Sequence, residues 1–167
     1  SIKCSCSKGE NNMQIINTTI HERLKFTRIY FGYSQTELAK MLDVKQSVYA
    51  NWELNKRLIP LRHLISLANI YQINVDYLLA LTDIQIHQKP INVDKVIISR
   101  NLRILLYELK INVKTFAKNL NVSCSPIYNY LNCKNLIPTY VLYDIARNYN
   151  ISTDWILGRT SQKNILK

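Results

Sequence analysis

The chain has 167 residues, carries a formal net charge of +11 and is 47% hydrophobic, so it can fill one ordinary core or two small ones. That charge fits a polyanionic partner, and it fits a lysine-rich solvated surface equally well. Three glycines and four prolines exclude a turn-rich β-sandwich, and no apolar run nears the roughly 20 residues of a membrane span.

Residues 1–17 open with a polar, non-periodic stretch and are expected to be a flexible leader without a signal-peptide core, Met13 being a plausible alternative start. The spacing of Cys4, Cys6, Cys124 and Cys133 is no zinc pattern and suits a reduced, cytoplasmic chain. Thr18 or Thr19 can cap a first helix running to about Phe31, where Gly32 stops it. Ser34 caps a second, Gln35 to Leu42, with Glu37 at capping-box distance. Asp43 and Val44 leave room only for a tight turn before a third helix, from about Gln46 to Leu54, which ends at Asn55. Pro60 opens a fourth, and Asn74 caps a short fifth over Val75 to Leu81.

The chain then says the same again. At a constant offset of 78 residues, Ala39-Lys40 meets Ala117-Lys118, and Ser47, Asn51 and Lys56 meet Ser125, Asn129 and Lys134. Leu58-Ile59-Pro60 meets Leu136-Ile137-Pro138, and Asp76, Leu79 and Thr82 meet Asp154, Leu157 and Thr160. One register held over about 60 residues reads as a duplication. The expected organisation is residues 18–83, a linker over 84–93, residues 94–161 and a tail over 162–167. Asn92, Asn112, Ser123, Pro138 and Ser152 start the second set of helices, and Pro126 falls in a first turn.

Two helices joined by a short turn inside a small basic bundle form a helix-turn-helix. Leu38, Ala39, Leu42 and Val44 make its apolar face, and Tyr49, Trp52, Leu64, Leu67, Ala68, Leu78 and Leu79 close the bundle. Trp52 and its counterpart Tyr130 read as core rather than as stacking platforms. His21 and His63 read as exposed helix residues.

The run Ser34-Gln35-Thr36-Glu37-Leu38-Ala39-Lys40, then Val44, Trp52-Glu53, Pro60 and Asn74-Val75-Asp76-Tyr77-Leu78-Leu79, resembles the Cro/repressor (XRE-like) helix-turn-helix domain. Ser152 to Gly158 is similar to its closing helix, so the resemblance covers both copies. It implies an all-α fold of two tandem five-helix lambda-repressor-like helix-turn-helix bundles, with the third helix of each in a DNA major groove. In the first copy the implied base readers are Gln46, Ser47 and Asn51, flanked by Lys45 and Ala50. Gln35 matches a phosphate-fixing position, and Lys56 and Arg57 follow the reading helix toward the backbone. In the second the matching readers are Cys124, Ser125 and Asn129, flanked by Ser123 and Tyr128, with Lys134 behind them. Val113 replaces Gln35 beside Lys114, Asn135 replaces Arg57, and Cys133 ends the helix. Arg28 and Glu53 match family positions that pair. They change together, to Leu106 and Leu131, which predicts an ion pair in one copy and an apolar contact in the other.

The resulting expectation is a cytoplasmic, bacterial or phage-encoded, nucleoid-associated regulator of transcription, in the manner of a repressor, that binds double-stranded DNA. It can also pair as a homodimer. The competing reading keeps DNA for the first copy and gives the second to dimerisation or to a protein partner. Scattered histidines and the lack of a Gly-rich phosphate loop argue against an enzyme. No cofactor, no metal and no membrane contact is implied, and no effector pocket is evident.

Overall fold

A computed structural model describes residues 18–167, so the expected leader and its Cys4 and Cys6 lie outside the described residues. Ten helices follow one another: α1 (Ile20–Tyr30), α2 (Gln35–Met41), α3 (Gln46–Glu53), α4 (Leu61–Tyr71), α5 (Val75–Leu78), α6 (Lys95–Leu109), α7 (Val113–Asn119), α8 (Cys124–Leu131), α9 (Thr139–Tyr149) and α10 (Thr153–Ile156). Among the described residues there is no strand, only the isolated bridges Ile73–His87 and Ile151–Asn164. None of these helices is long and apolar enough to cross a membrane.

Local chemistry sets the helix ends. Thr19 and Ser34 form capping boxes with Glu22 and Glu37, and Asn112 accepts the amide of Thr115 at 2.9 Å. Helices α2 to α5 and α7 to α10 start and stop in register 78 residues apart. The left-handed residues obey the same offset. Gly32, Asp43, Asn55, Gln72 and Ala80 are answered by Lys110, Asn121, Cys133, Asn150 and Gly158.

Several expected boundaries move. Pro60 and Pro138 stand one residue before their helices, as extended N-caps, where a missing N–H is equally harmless. Asp94, not Asn92, caps α6 and accepts the amide of Val96 at 2.7 Å. Helix α5 ends at Leu78, and the Asn74 side chain does not cap it. Instead Asn74 takes the Ile86 amide and donates to the Ile84 carbonyl, pinning the segment after α5. That segment is tied along its length, by the Gln88 amide to the Gln72 carbonyl and by Asn69 to both backbone groups of Ile91. His21 and His63 are half-buried rather than exposed, and the His63 ring lies 5.3 Å from that of Trp52.

The first five helices enclose Leu38, Leu64, Leu67, Leu78 and Leu79, all fully buried; the second five enclose Phe116, Leu142, Ile145, Ala146 and Ile156. Trp52 and Tyr130 are buried in these cores, as their sequence context requires.

The two sets meet through α5 and α10. The Asp154 carboxylate accepts the amides of Val75 (3.0 Å) and Asp76 (2.9 Å) at the start of α5. In return Asp76 accepts the amide of Thr153 (2.7 Å) and the hydroxyls of Thr153 and Ser152 (2.6 Å each) at the start of α10. Each four-residue helix therefore has its free amides and positive end satisfied by the other's acid. Arg159 closes the set, 3.0 Å from Asp154 and donating to Asn69 (2.8 Å) and the Ile73 carbonyl (3.1 Å). Thr139 donates to the Ile59 carbonyl at 2.6 Å, joining the two Leu-Ile-Pro segments.

Candidate nucleic-acid interface

The tight turn between α2 and α3 is held by the Val44 amide on the Ala39 carbonyl at 2.9 Å. Small Ala39 is buried there and lets the helices approach closely. Helix α3 buries Tyr49, Trp52 and Glu53 inward, which leaves Gln46, Ser47 and Val48 exposed and Ala50 and Asn51 at its edge.

Behind that surface runs a chain of polar contacts. Arg28 grips Glu53 with two nitrogens, at 2.6 and 3.0 Å, and donates to the Tyr33 carbonyl at 3.0 Å. Glu53 accepts from the Gln35 amide group at 2.8 Å, and the Gln35 oxygen accepts from Gln46 at 2.7 Å. The ion pair expected between Arg28 and Glu53 is present, and its hydrogen bond raises the Arg28 pKa further. The carboxylate sits among α1, α2 and α3, so one buried charge fixes the mutual geometry of three helices and orients Gln46. Among the described residues the Gln46 side-chain oxygen accepts no hydrogen bond.

Lys45 lies exposed at the N-terminus of α3, and Lys56 and Arg57 lie exposed beyond its end, where their amides reach back to the Asn51 carbonyl. Of these, Arg57 also lines a cleft between α3 and α9.

The corresponding surface on α8 differs. Ser123, Ser125, Lys114 and Lys134 are exposed and Cys124 and Asn129 half-exposed, while Tyr128 stands 52% exposed. Among the described residues no acid–amide chain lies beneath. Leu106, Val113 and Leu131 instead line an open cleft of about 480 Å³ together with Arg103, Tyr128 and Asn132. Leu106 and Leu131 thus share one apolar site, as their joint change predicts. Arg103 donates to the Leu131 carbonyl at 2.8 Å, a contact that sequence reasoning missed because no motif marks it. The Asp76, Asp154 and Arg159 cluster was missed as well, although the mismatch of Leu81 with Arg159 in the aligned copies was a visible signal.

Comparison with known proteins bears on the first five helices. Residues 24–78 match the helix-turn-helix family. Over 62 residues the chain is 34% identical to an uncharacterized HTH-type transcriptional regulator, YobD, of Bacillus subtilis (strain 168). That match takes in 37% of this chain and 55% of the relative, so the chain spans about half the relative's length. No solved structure matches. Residues 24–78, which run from within α1 to the end of α5, are therefore an XRE-type helix-turn-helix domain.

Proposed function

We propose that the chain is a DNA-binding regulator of transcription, acting as a repressor, with two major-groove heads over residues 18–83 and 94–161. The observation that carries this reading is the Arg28–Glu53–Gln35–Gln46 chain, which presents a pre-oriented amide beside Ser47 and Asn51 on an otherwise apolar helix. Gln and Asn can each bind adenine through two hydrogen bonds. Lys45, Lys56 and Arg57 supply phosphate contacts that set register without reading sequence.

The contacts between the heads support a specific arrangement. Asp76 with Thr153, and Asp154 with Val75, are the same contact made in both directions. Such reciprocity is the mark of a two-fold interface, here within one chain. Helices α3 and α8 are then related as the reading helices of a dimer are, and a monomer faces two inverted, unequal half-sites. A second reading keeps DNA for α3 and gives α8 to a protein contact; the cleft in which Leu106, Val113 and Leu131 lie beside exposed Tyr128 favours it.

Selection from random duplex DNA at moderate salt tests both, repeated with a Gln46→Ala, Asn51→Ala protein. The expected result is a two-part inverted motif that loses one half in the variant. A single short motif that vanishes in the variant would replace the first reading with the second.

A further inference from the structure

Although the sequence shows no effector pocket, a cleft of about 640 Å³ opens between the loop after α3 and helix α9. That is the size of a small-ligand site, and it lies at the junction of two bundles, where such sites concentrate. Arg57 from the loop after α3, Arg147 on α9 and His21 on α1 all line it. Among the described residues no carboxylate lines it and neither arginine takes part in a salt bridge. Trp52 and Leu24 form part of the wall, so the cleft offers apolar surface beside its cations.

The matching place across the approximate two-fold is built differently. There the space is closed. Ile97 stands where Thr19 stands here, and a Cβ on Gly158 would come within 2.6 Å of it. Arg159, in the place of Leu81, turns inward and is neutralised by Asp154 and Asn69. His21, Arg57 and Arg147 are matched there by Ser99, Asn135 and Asn69, all neutral. Among the described residues the closed side thus holds one cation, met by Asp154 and Asn69, and the open side holds three basic groups and no carboxylate.

We infer that this cleft binds a small organic anion, a phosphate or carboxylate attached to a flat or apolar body, clamped between Arg57 and Arg147. Guanidinium forks suit such anions, and the charge-assisted bonds are stronger than neutral ones. The inference does not rest on the regulatory reading above. The same chemistry could come from a DNA phosphate, and the test separates the two sources.

The full chain, without DNA, is titrated with adenosine 5′-monophosphate and with inorganic phosphate at constant ionic strength, and the Trp52 indole and arginine Nε resonances are followed by NMR. Saturable shifts confined to Trp52, Arg57 and Arg147 are expected, with the monophosphate binding more tightly than phosphate. Arg57→Gln with Arg147→Gln should weaken binding about tenfold or more, and lysine at both positions should restore part of it. Both side chains are exposed, so the unfolding midpoint should not move. Shifts spread over all basic side chains, or no saturation, would overturn the inference. So would shifts at Arg57 and Arg147 that appear only on adding duplex DNA, which would make them backbone contacts.

Discussion

Helices α3 and α8 hold equivalent places and are supported in opposite ways. Under α3 lies a charged pair whose carboxylate also accepts from Gln35, which in turn accepts from Gln46 on the outer face. Under α8 lie three aliphatic side chains and a cavity. Both supports join the first, second and third helices of their sets, so either holds the bundle together. Only the polar one also specifies where a side chain on the outer face points. An apolar contact can replace a buried ion pair without loss of stability, but it cannot pass on orientation.

Exchanging the supports tests this most severely. Glu53→Leu alone strands the Arg28 guanidinium and should cost about 3–5 kcal/mol in urea unfolding. The double variant Arg28→Leu, Glu53→Leu copies the second set and should return to within about 1 kcal/mol of the parent. Its duplex affinity should nevertheless stay low, because Gln35 and Gln46 have lost their anchor. A double variant as unstable as the single one would break the comparison.

The two acids at the junction differ in the same instructive way. Asp154→Ala frees two amides and leaves buried Arg159 without a carboxylate, so a loss of about 3 kcal/mol or more is expected. Asp76→Ala strands no cation and should cost about 1–3 kcal/mol. Both should split a single urea transition into two. Burial, with the nearby Asp76 charge adding to it, pushes the Asp154 carboxyl up to about 6; burial also raises Asp76. An acid that holds its proton more tightly when folded gains stability as pH falls. The junction should therefore strengthen from pH 7 through about 6 toward the unfolded aspartate value near 4, and be flat above that window. Asp154→Asn should remove the Asp154 part of this pH dependence and leave the part due to Asp76. Glu22 and Glu37 are held low by their bonds to Thr19 and Ser34. They act in the opposite sense, with stability lost only as pH drops below about 4.5.

At the surface the effects are smaller. Asn51→Ala should lower duplex affinity by about 1–3 kcal/mol at fixed salt, with no change in unfolding. Asn129→Ala should match it if α8 reads bases. An unchanged affinity there, beside a loss at Asn51, would favour the protein-binding reading of α8.

These contrasts were unequally legible in the sequence. The helices were, because caps and apolar spacing are local. The Arg28–Glu53 pair was, because both positions change together, to Leu106 and Leu131, at the same offset of 78 residues. The junction was not. Asp76 and Asp154 each look like an ordinary acid in a helix's first turn, and their real partners lie 76 to 79 residues away. The cap expected from Asn74 failed for the same reason, since a carboxylate arrives from the other set and frees Asn74 for the strap that follows. The cleft was hidden too. It brings Arg57 of one set and Arg147 of the other to one site, and no local pattern encodes that pairing.

The smallest expected effect falls where the first helix of each set ends. Gly32 has φ +76° with nothing within 4 Å of a would-be Cβ, so its left-handed backbone alone calls for glycine. Its mate Lys110 adopts φ 53° with a side chain attached, as the cap of α6. For an L-residue that conformation costs roughly 1 kcal/mol relative to glycine. Lys110→Gly should therefore stabilise the second set by about 0.5–1 kcal/mol, and Gly32→Lys should destabilise the first by a similar amount. Because neither position touches the junction, the double exchange should leave total stability nearly unchanged while bringing the two urea transitions of an Asp154→Ala background closer together or further apart. If the glycine variant at 110 is instead the less stable one, the Lys110 side chain contributes a contact that outweighs its backbone strain, and the two helix ends are not equivalent.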